Sequence, residues 1–253
     1  MDVTALVEWY KKDGFARPFE RLESDQLRAP TVSKRGKWDP CRLATGAYCL
    51  DDPPSCGAYV QFYSNSINVT PVQFESLWDF GMEVVLPTPN PMNKKTFIKR
   101  RQATFGVSYR FGGQTSQVIG GDELEWPEAV RTALADARSR SSIPETLSAV
   151  HTNWYPGGSA GLMPHADKED IFIANMPIYS YTILSDPSLP RGFQIYRNPE
   201  LKTPAYDVLL GHGDLLVMAG DMQNRYKHGV KSTASKAYAE LRRINMTVRS
   251  LAV

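Results

Sequence analysis

The sequence predicts an α+β protein in which helices lead into an antiparallel jelly roll or barrel. Two observations carry this. Between Pro71 and Ala137 apolar residues recur at helical spacing, and after about residue 146 the pattern changes to short apolar strands separated by turns. Many short strands at such spacing build sandwiches and barrels rather than parallel sheets.

Each element follows from its residues. The first 55 residues are irregular, with one helical piece at 7–13 followed by a stretch rich in Pro, Asp, Gly and basic residues. Residues 59–63, Tyr-Val-Gln-Phe-Tyr, read as a strand. Pro71 opens an amphipathic helix with Phe74, Leu77, Trp78 and Met82 on one face, and a second helix runs from Pro127 with Val130, Leu134 and Ala137 on one face. Strands are expected at 149–155, 178–184, 192–197, 207–210, 214–218 and 243–251. The chain thus divides into an N-terminal extension, 1–55, and a main domain, 56–253, with its jelly-roll core from about 146. No internal repeat or low-complexity tract interrupts it.

Composition narrows the class. At 253 residues the chain can bury a proper core, and 42% hydrophobic with 22% charged residues is ordinary for a globular protein. A net charge of +2 is too small to announce a nucleic-acid partner by itself. No apolar run reaches membrane-spanning length, and Met1-Asp2-Val3-Thr4 has neither the basic start nor the apolar core of a signal peptide. Cys41, Cys49 and Cys56 are an odd number and lack the short paired spacing of zinc sites, so free thiols in a reducing compartment are expected. An intracellular, non-membrane protein is the expectation, and the sequon at Asn68-Val69-Thr70 carries little weight against it.

Three groups of residues carry chemistry. His165-Ala166-Asp167 lies in a polar run read as a loop, and alone it is common by chance. His228 follows a strand and a turn, and two histidines with one carboxylate are what a non-haem Fe(II) site uses, because they occupy one face of the ion. In 243–249, Arg-Ile-Asn-Met-Thr-Val-Arg, polar and apolar residues alternate, which puts Arg243, Asn245, Thr247 and Arg249 on one face of a strand. The two arginines are six residues apart, about 20 Å at roughly 3.3 Å per residue, so side chains leaning inward can hold opposite ends of a short dicarboxylate. The plain alternative is an edge strand with solvated arginines.

The order of these motifs resembles the AlkB-type Fe(II)/2-oxoglutarate dioxygenases. That family runs Asn-x-Tyr, a glycine-containing loop, His-x-Asp, a Gly-Asp strand, His, then Arg-x-Asn-x-x-x-Arg. This chain has Asn153-Trp154-Tyr155, Pro156-Gly157-Gly158, His165-Ala166-Asp167-Lys168-Glu169, His212-Gly213-Asp214 leading into a strand, His228, and Arg243 through Arg249. The likeness covers about residues 60–253 and reaches upstream to Arg101-Gln102-Ala103-Thr104-Phe105-Gly106 and Tyr109-Arg110-Phe111. It implies a double-stranded β-helix core, Fe(II) held by His165, Asp167 and His228, and O2 as oxidant. It also implies 2-oxoglutarate bound by Arg243 with Asn153 and Tyr155, and Asn245 and Arg249 near the iron-bound end. Glu169 falls where an acid meets the exocyclic edge of the target base. The strand 179–185 departs from the family's Ser-x-Ser-Leu-Gly, so the substrate wall is expected to differ. His212 is read as a loop residue, not a ligand.

The implied reaction is oxidation of N-methyl groups on alkylated bases in DNA or RNA, single-stranded or with the base flipped out, by a protein expected to be a monomer. Lys94, Lys95, Lys99, Arg100 and Arg101 precede Phe105, Tyr109 and Phe111, so 94–115 is the expected nucleotide-recognition part, with Arg101 and these rings as substrate contacts. Rival readings are an oxygenase acting on a protein side chain or small molecule, a serine hydrolase built on Gly157-Gly158-Ser159-Ala160-Gly161, and a non-catalytic jelly-roll binding protein. The hydrolase elbow needs a helix directly after Ser159, whereas Pro164 and a polar run follow.

Overall fold

The computed structural model describes residues 42–51, 57–107, 110–111, 114–140, 148–168 and 177–250. The helical piece expected at 7–13, Cys41, Cys56, Tyr109 and Glu169 lie outside them.

Two facing sheets make the body. The large one runs β1 (Gly46–Cys49), β2 (Ala58–Tyr63), β13 (Asp214–Gly220), β10 (Ile178–Leu184), β15 (Arg243–Ser250), β8 (Ser148–Tyr155), β4 (Asn93–Phe105) and β3 (Pro87–Asn90), with β7 (Gln117–Ile119) also on β4. The small one runs β12 (Tyr206–Leu210), β11 (Arg191–Arg197), β14 (Tyr226–Val230) and β9 (Leu162–His165). A separate short ladder joins β5 (Arg110–Phe111) to β6 (Gln114–Thr115). All pairings are antiparallel except β4 with β7. This is the jelly roll that the sequence predicts.

Alternation along the central strands decides what each face meets. Val150 and Trp154 of β8, Tyr179, Tyr181 and Ile183 of β10, and Ile244, Met246 and Val248 of β15 pack on helices α1 (Pro71–Glu83) and α2 (Glu128–Arg140). Their neighbours turn to the space between the sheets, where Val60, Phe62, Leu216 and Met218 meet Phe193, Ile195, Val208 and Leu210. Thr70 caps α1 in a reciprocal box with Gln73, and Pro71 sits in the first turn. Gly81 has no side chain because the Trp154 ring occupies that space: a Cβ there would lie 2.3 Å from Nε1, which itself donates to the Leu77 carbonyl. Among the described residues no helix is long and apolar enough to cross a membrane.

Most expected strands appear within a residue or two of their expected bounds. Three regions need correction. The front half is not chiefly helical, because residues 87–105 form the β3–β4 hairpin, and β4 is as long as either major helix. The polar run after Gly161 is a strand, β9, for four residues. His228 likewise lies within a strand, β14.

Candidate metal and co-substrate site

The site is assembled by register. His165 of β9 lies directly opposite His228 of β14, and directly paired residues share a face, so both rings point into the space between the sheets. Asp167 follows β9 by two residues, and its carboxylate lies 3.7 Å from Nε2 of His165 and 3.7 Å from Nε2 of His228. The ligand atoms of the three residues all lie within 4.8 Å of one another. His165 donates from Nδ1 to the Met163 carbonyl, which turns Nε2 toward Asp167. Phe193 stacks on His228 with centroids 5.5 Å apart, and the backbone N–H of Asp167 donates to Gln223.

Electrostatics favour a cation here. Burial alone would raise the Asp167 carboxyl, but Arg249, with Nη2 2.9 Å from Oδ1, leads the interactions that outweigh it and hold it well below the usual carboxylate range. Apart from that ion pair, both carboxylate oxygens lack hydrogen-bond partners. Burial and the neighbouring His165 push His228 down to about 3, and burial likewise lowers His165, so both imidazoles are neutral and have a lone pair to give. This donor set fits a non-haem Fe(II) site with open positions.

β15 forms the next wall. Arg243, Asn245, Thr247 and Arg249 are all buried, so the polar face of the alternating run is interior and the edge-strand reading is set aside. β8 pairs with it so that Tyr155 is opposite Arg243, Asn153 opposite Asn245 and His151 opposite Thr247. Arg243 is 1% exposed; it donates to Thr182 Oγ1 at 3.0 Å and stands over the Tyr155 ring at 5.0 Å. Its Nε and Nη1 find no hydrogen-bond acceptor among the described residues, and the Tyr155 hydroxyl lies beside the guanidinium and favours its charge. A buried guanidinium without a carboxylate is costly. Its unused donors, beside the Tyr155 hydroxyl, are what the distal carboxylate of 2-oxoglutarate would satisfy.

Several residues of this site carry no signal in the linear sequence. Arg191, buried, donates to the carbonyls of Gly158, Ala160 and Lys231, and burial together with nearby Arg243 pushes it down to about 10. It clamps the loop that leads into β9. His151 lines the cavity with its Nδ1 on Thr104, whose hydroxyl also meets Ser116. Arg100 donates to Asn153 Oδ1 at 3.0 Å and Gln102 Oε1 at 3.1 Å. Alternation along β4 and its pairing with β8 would have pointed to Arg100, had 93–105 been read as a strand.

Two expected substrate contacts are corrected. Arg101 faces away from the cavity and donates through Nη1 to the carbonyls of Gly81, Met82 and Val85, where a cation balances the end of helix α1. Phe105 is fully buried, against Phe80 and Trp126. Phe111 lies in β5. His212 is a loop residue: Nε2 donates to the Val69 carbonyl, so Nδ1 accepts from the Leu184 N–H. Ser159 is exposed in a turn followed by strand β9, so the helix that a nucleophile elbow requires is not there.

The sequence matches the 2OG-Fe(II) oxygenase superfamily over residues 80–249. No curated protein matches it. Among solved structures it is similar to one described as "The structure of OsALKBH1", at 15% identity, covering 77% of this chain and 96% of that one, with a TM-score of 0.47. It is also similar to a prolyl hydroxylase in complex with a hypoxia inducible factor peptide fragment from Trichoplax adhaerens, at 16% identity over 76% of this chain and 83% of that one, with a TM-score of 0.49.

Proposed function

Because this chain belongs to the 2OG-Fe(II) oxygenase superfamily, whose cofactors are Fe(II), 2-oxoglutarate and O2, we propose that it removes N-methyl groups from nucleobases of DNA or RNA by oxidation. The observation that carries the oxygenase chemistry is the juxtaposition of the His165–Asp167–His228 cluster with the buried Arg243–Arg249 face. The nucleobase reading rests on the AlkB-like order of motifs.

His165, Asp167 and His228 would hold the iron. Iron, when bound, supplies the redox chemistry that couples decarboxylation of 2-oxoglutarate to hydroxylation by O2. The protein's own part is placement. Arg249 keeps the Asp167 carboxylate ionised and aimed, and Arg243 with Thr182 and Tyr155 would hold the far carboxylate of the co-substrate. Leu162, Phe193 and Met218 line the cavity with apolar surface and limit water. Hydroxylation turns N–CH3 into N–CH2OH while 2-oxoglutarate and O2 become succinate and CO2. The carbinolamine then breaks its C–N bond, giving formaldehyde and the N–H base.

The test is succinate and formaldehyde release across a panel of methylated DNA and RNA oligonucleotides. Formaldehyde in step with succinate for at least one methylated base is expected. Succinate release stimulated by a peptide and by no oligonucleotide would overturn the substrate assignment and leave the oxygenase chemistry standing.

A further inference from the structure

A wide groove opens from the reaction cavity to the surface, and Arg100, Leu162 and Val230 line both. Its charged lining residues come from three distant parts of the chain. Lys99 and Arg100 are on β4, Lys202 lies between β11 and β12, and Lys231 directly follows β14. The three lysines are exposed, and among the described residues no Asp or Glu lines the groove. Phe97, from the same strand as Arg100, is 63% exposed there, and Met163 is 80% exposed.

Arg100 stands at the junction. It is partly buried, and its hydrogen bonds go to neutral acceptors only: Asn153 Oδ1, Gln102 Oε1 and, at 3.4 Å, the Gly161 carbonyl. Those bonds fix the plane of the guanidinium and leave two of its five N–H groups for an outside oxyanion. A desolvated cation without an acid is costly until an anion arrives.

We propose that the groove is a track for single-stranded nucleic acid. Arg100 holds the phosphate that flanks the nucleotide in the cavity, Lys99, Lys202 and Lys231 follow the backbone beyond it, and Phe97 stacks a neighbouring base. The assignment deepens the nucleobase reading above and rests on it. A peptide with one acid would satisfy one cation. Four cations from three chain segments, with no acid among the described residues that line the groove, match a polymer that repeats its negative charge at every unit. An exposed ring beside them offers the stacking platform that such polymers use.

The experiment measures binding of a short single-stranded oligonucleotide carrying a methylated base, by fluorescence anisotropy against salt concentration. It compares wild type, the double variant Lys202→Ala/Lys231→Ala, and Phe97→Ala, with the Fe(II)/2-oxoglutarate absorption band as the check on folding. The double variant should lower the slope of log affinity against log salt by about 1.4, since each single-strand phosphate contact contributes roughly 0.7. Phe97→Ala should cost about tenfold in affinity or more at unchanged slope. If wild type binds and both variants keep its slope and affinity, the track is wrong while the nucleobase reading survives. If wild type binds no oligonucleotide, both fall, and an acidic peptide retained through the same lysines would make the occupant a peptide.

Discussion

The two faces of β4 do different work, although they interleave in one run of sequence. On the inner face Arg100, Gln102 and Thr104 meet Asn153 and His151 at the cavity. On the outer face Arg101 ties off helix α1, while Ala103 and Phe105 complete the core under the helices. Arg100 and Arg101 are adjacent and chemically identical, yet one faces the reaction cavity and the other seals a helix end. A run of cations beside aromatics therefore says little about binding until the strand's register is known, since a shift of one residue exchanges the faces.

The largest expected effect sets two phenylalanines of β4 against each other, one on each side of the register shift between Phe97 and Arg101. Phe105→Ala empties a fully buried site against Phe80 and Trp126 and should cost about 3–5 kcal/mol of stability. Phe97→Ala, at an exposed ring, should cost almost none. Chemical denaturation of both variants decides it. Equal losses would show that Phe97 is also a core residue and would remove it from the groove.

The two arginines give a smaller effect. Arg101→Gln should lower stability by about 2 kcal/mol, through the orphaned carbonyls at the end of α1, with oligonucleotide affinity of the folded fraction unchanged. Arg100→Gln should do the reverse, weakening oligonucleotide binding with a smaller change in melting temperature. Calorimetry and anisotropy on the pair would contradict the account if Arg101→Gln proved the weaker binder.

The buried histidines give a pH signature of similar or smaller size. In the metal-free protein burial holds His151 and His228 below their ordinary value, His228 at about 3. As pH falls from 7, the unfolded chain takes up protons near 6.5 that the folded chain refuses, so stability is full above that value and declines below it. For His228 the loss is about 2 kcal/mol by pH 5. The melting temperature measured with a chelator present should fall steadily between pH 7 and 5, and a flat profile would contradict the neutral imidazoles.

How much of this was legible in the sequence depends on how local each signal is. Strand β15 could be read because its polar and apolar residues alternate without exception from Arg243 to Arg249. The same alternation left two outcomes open, a solvated edge or an interior wall, and only its place between β8 and β10 decides for the wall. Strand β4 was not legible because Lys95, Lys99, Arg100 and Arg101 put cations on both faces and erase the period. Strand β9 hides behind Pro164 and the exposed Met163. His165, Asp167 and His228 stood out only through the family-like order of the motifs around them, whereas Arg100, His151, Arg191 and Phe193 reach the site through strand pairing across long separations, which no local pattern records.

The central claim is that the cluster His165–Asp167–His228 and the buried face of β15 together form one Fe(II)/2-oxoglutarate site. Its most direct test is the visible charge-transfer absorption that develops when both are added without oxygen. Wild type should show the band. His165→Ala, Asp167→Ala and His228→Ala should lose it, and His212→Ala should keep it. Arg243→Lys should require about tenfold or more additional 2-oxoglutarate to reach it, since an ammonium cannot reproduce the planar fork, while iron still binds. A band that survives His228→Ala and vanishes in His212→Ala, or an Arg243→Lys titration identical to wild type, would contradict the account.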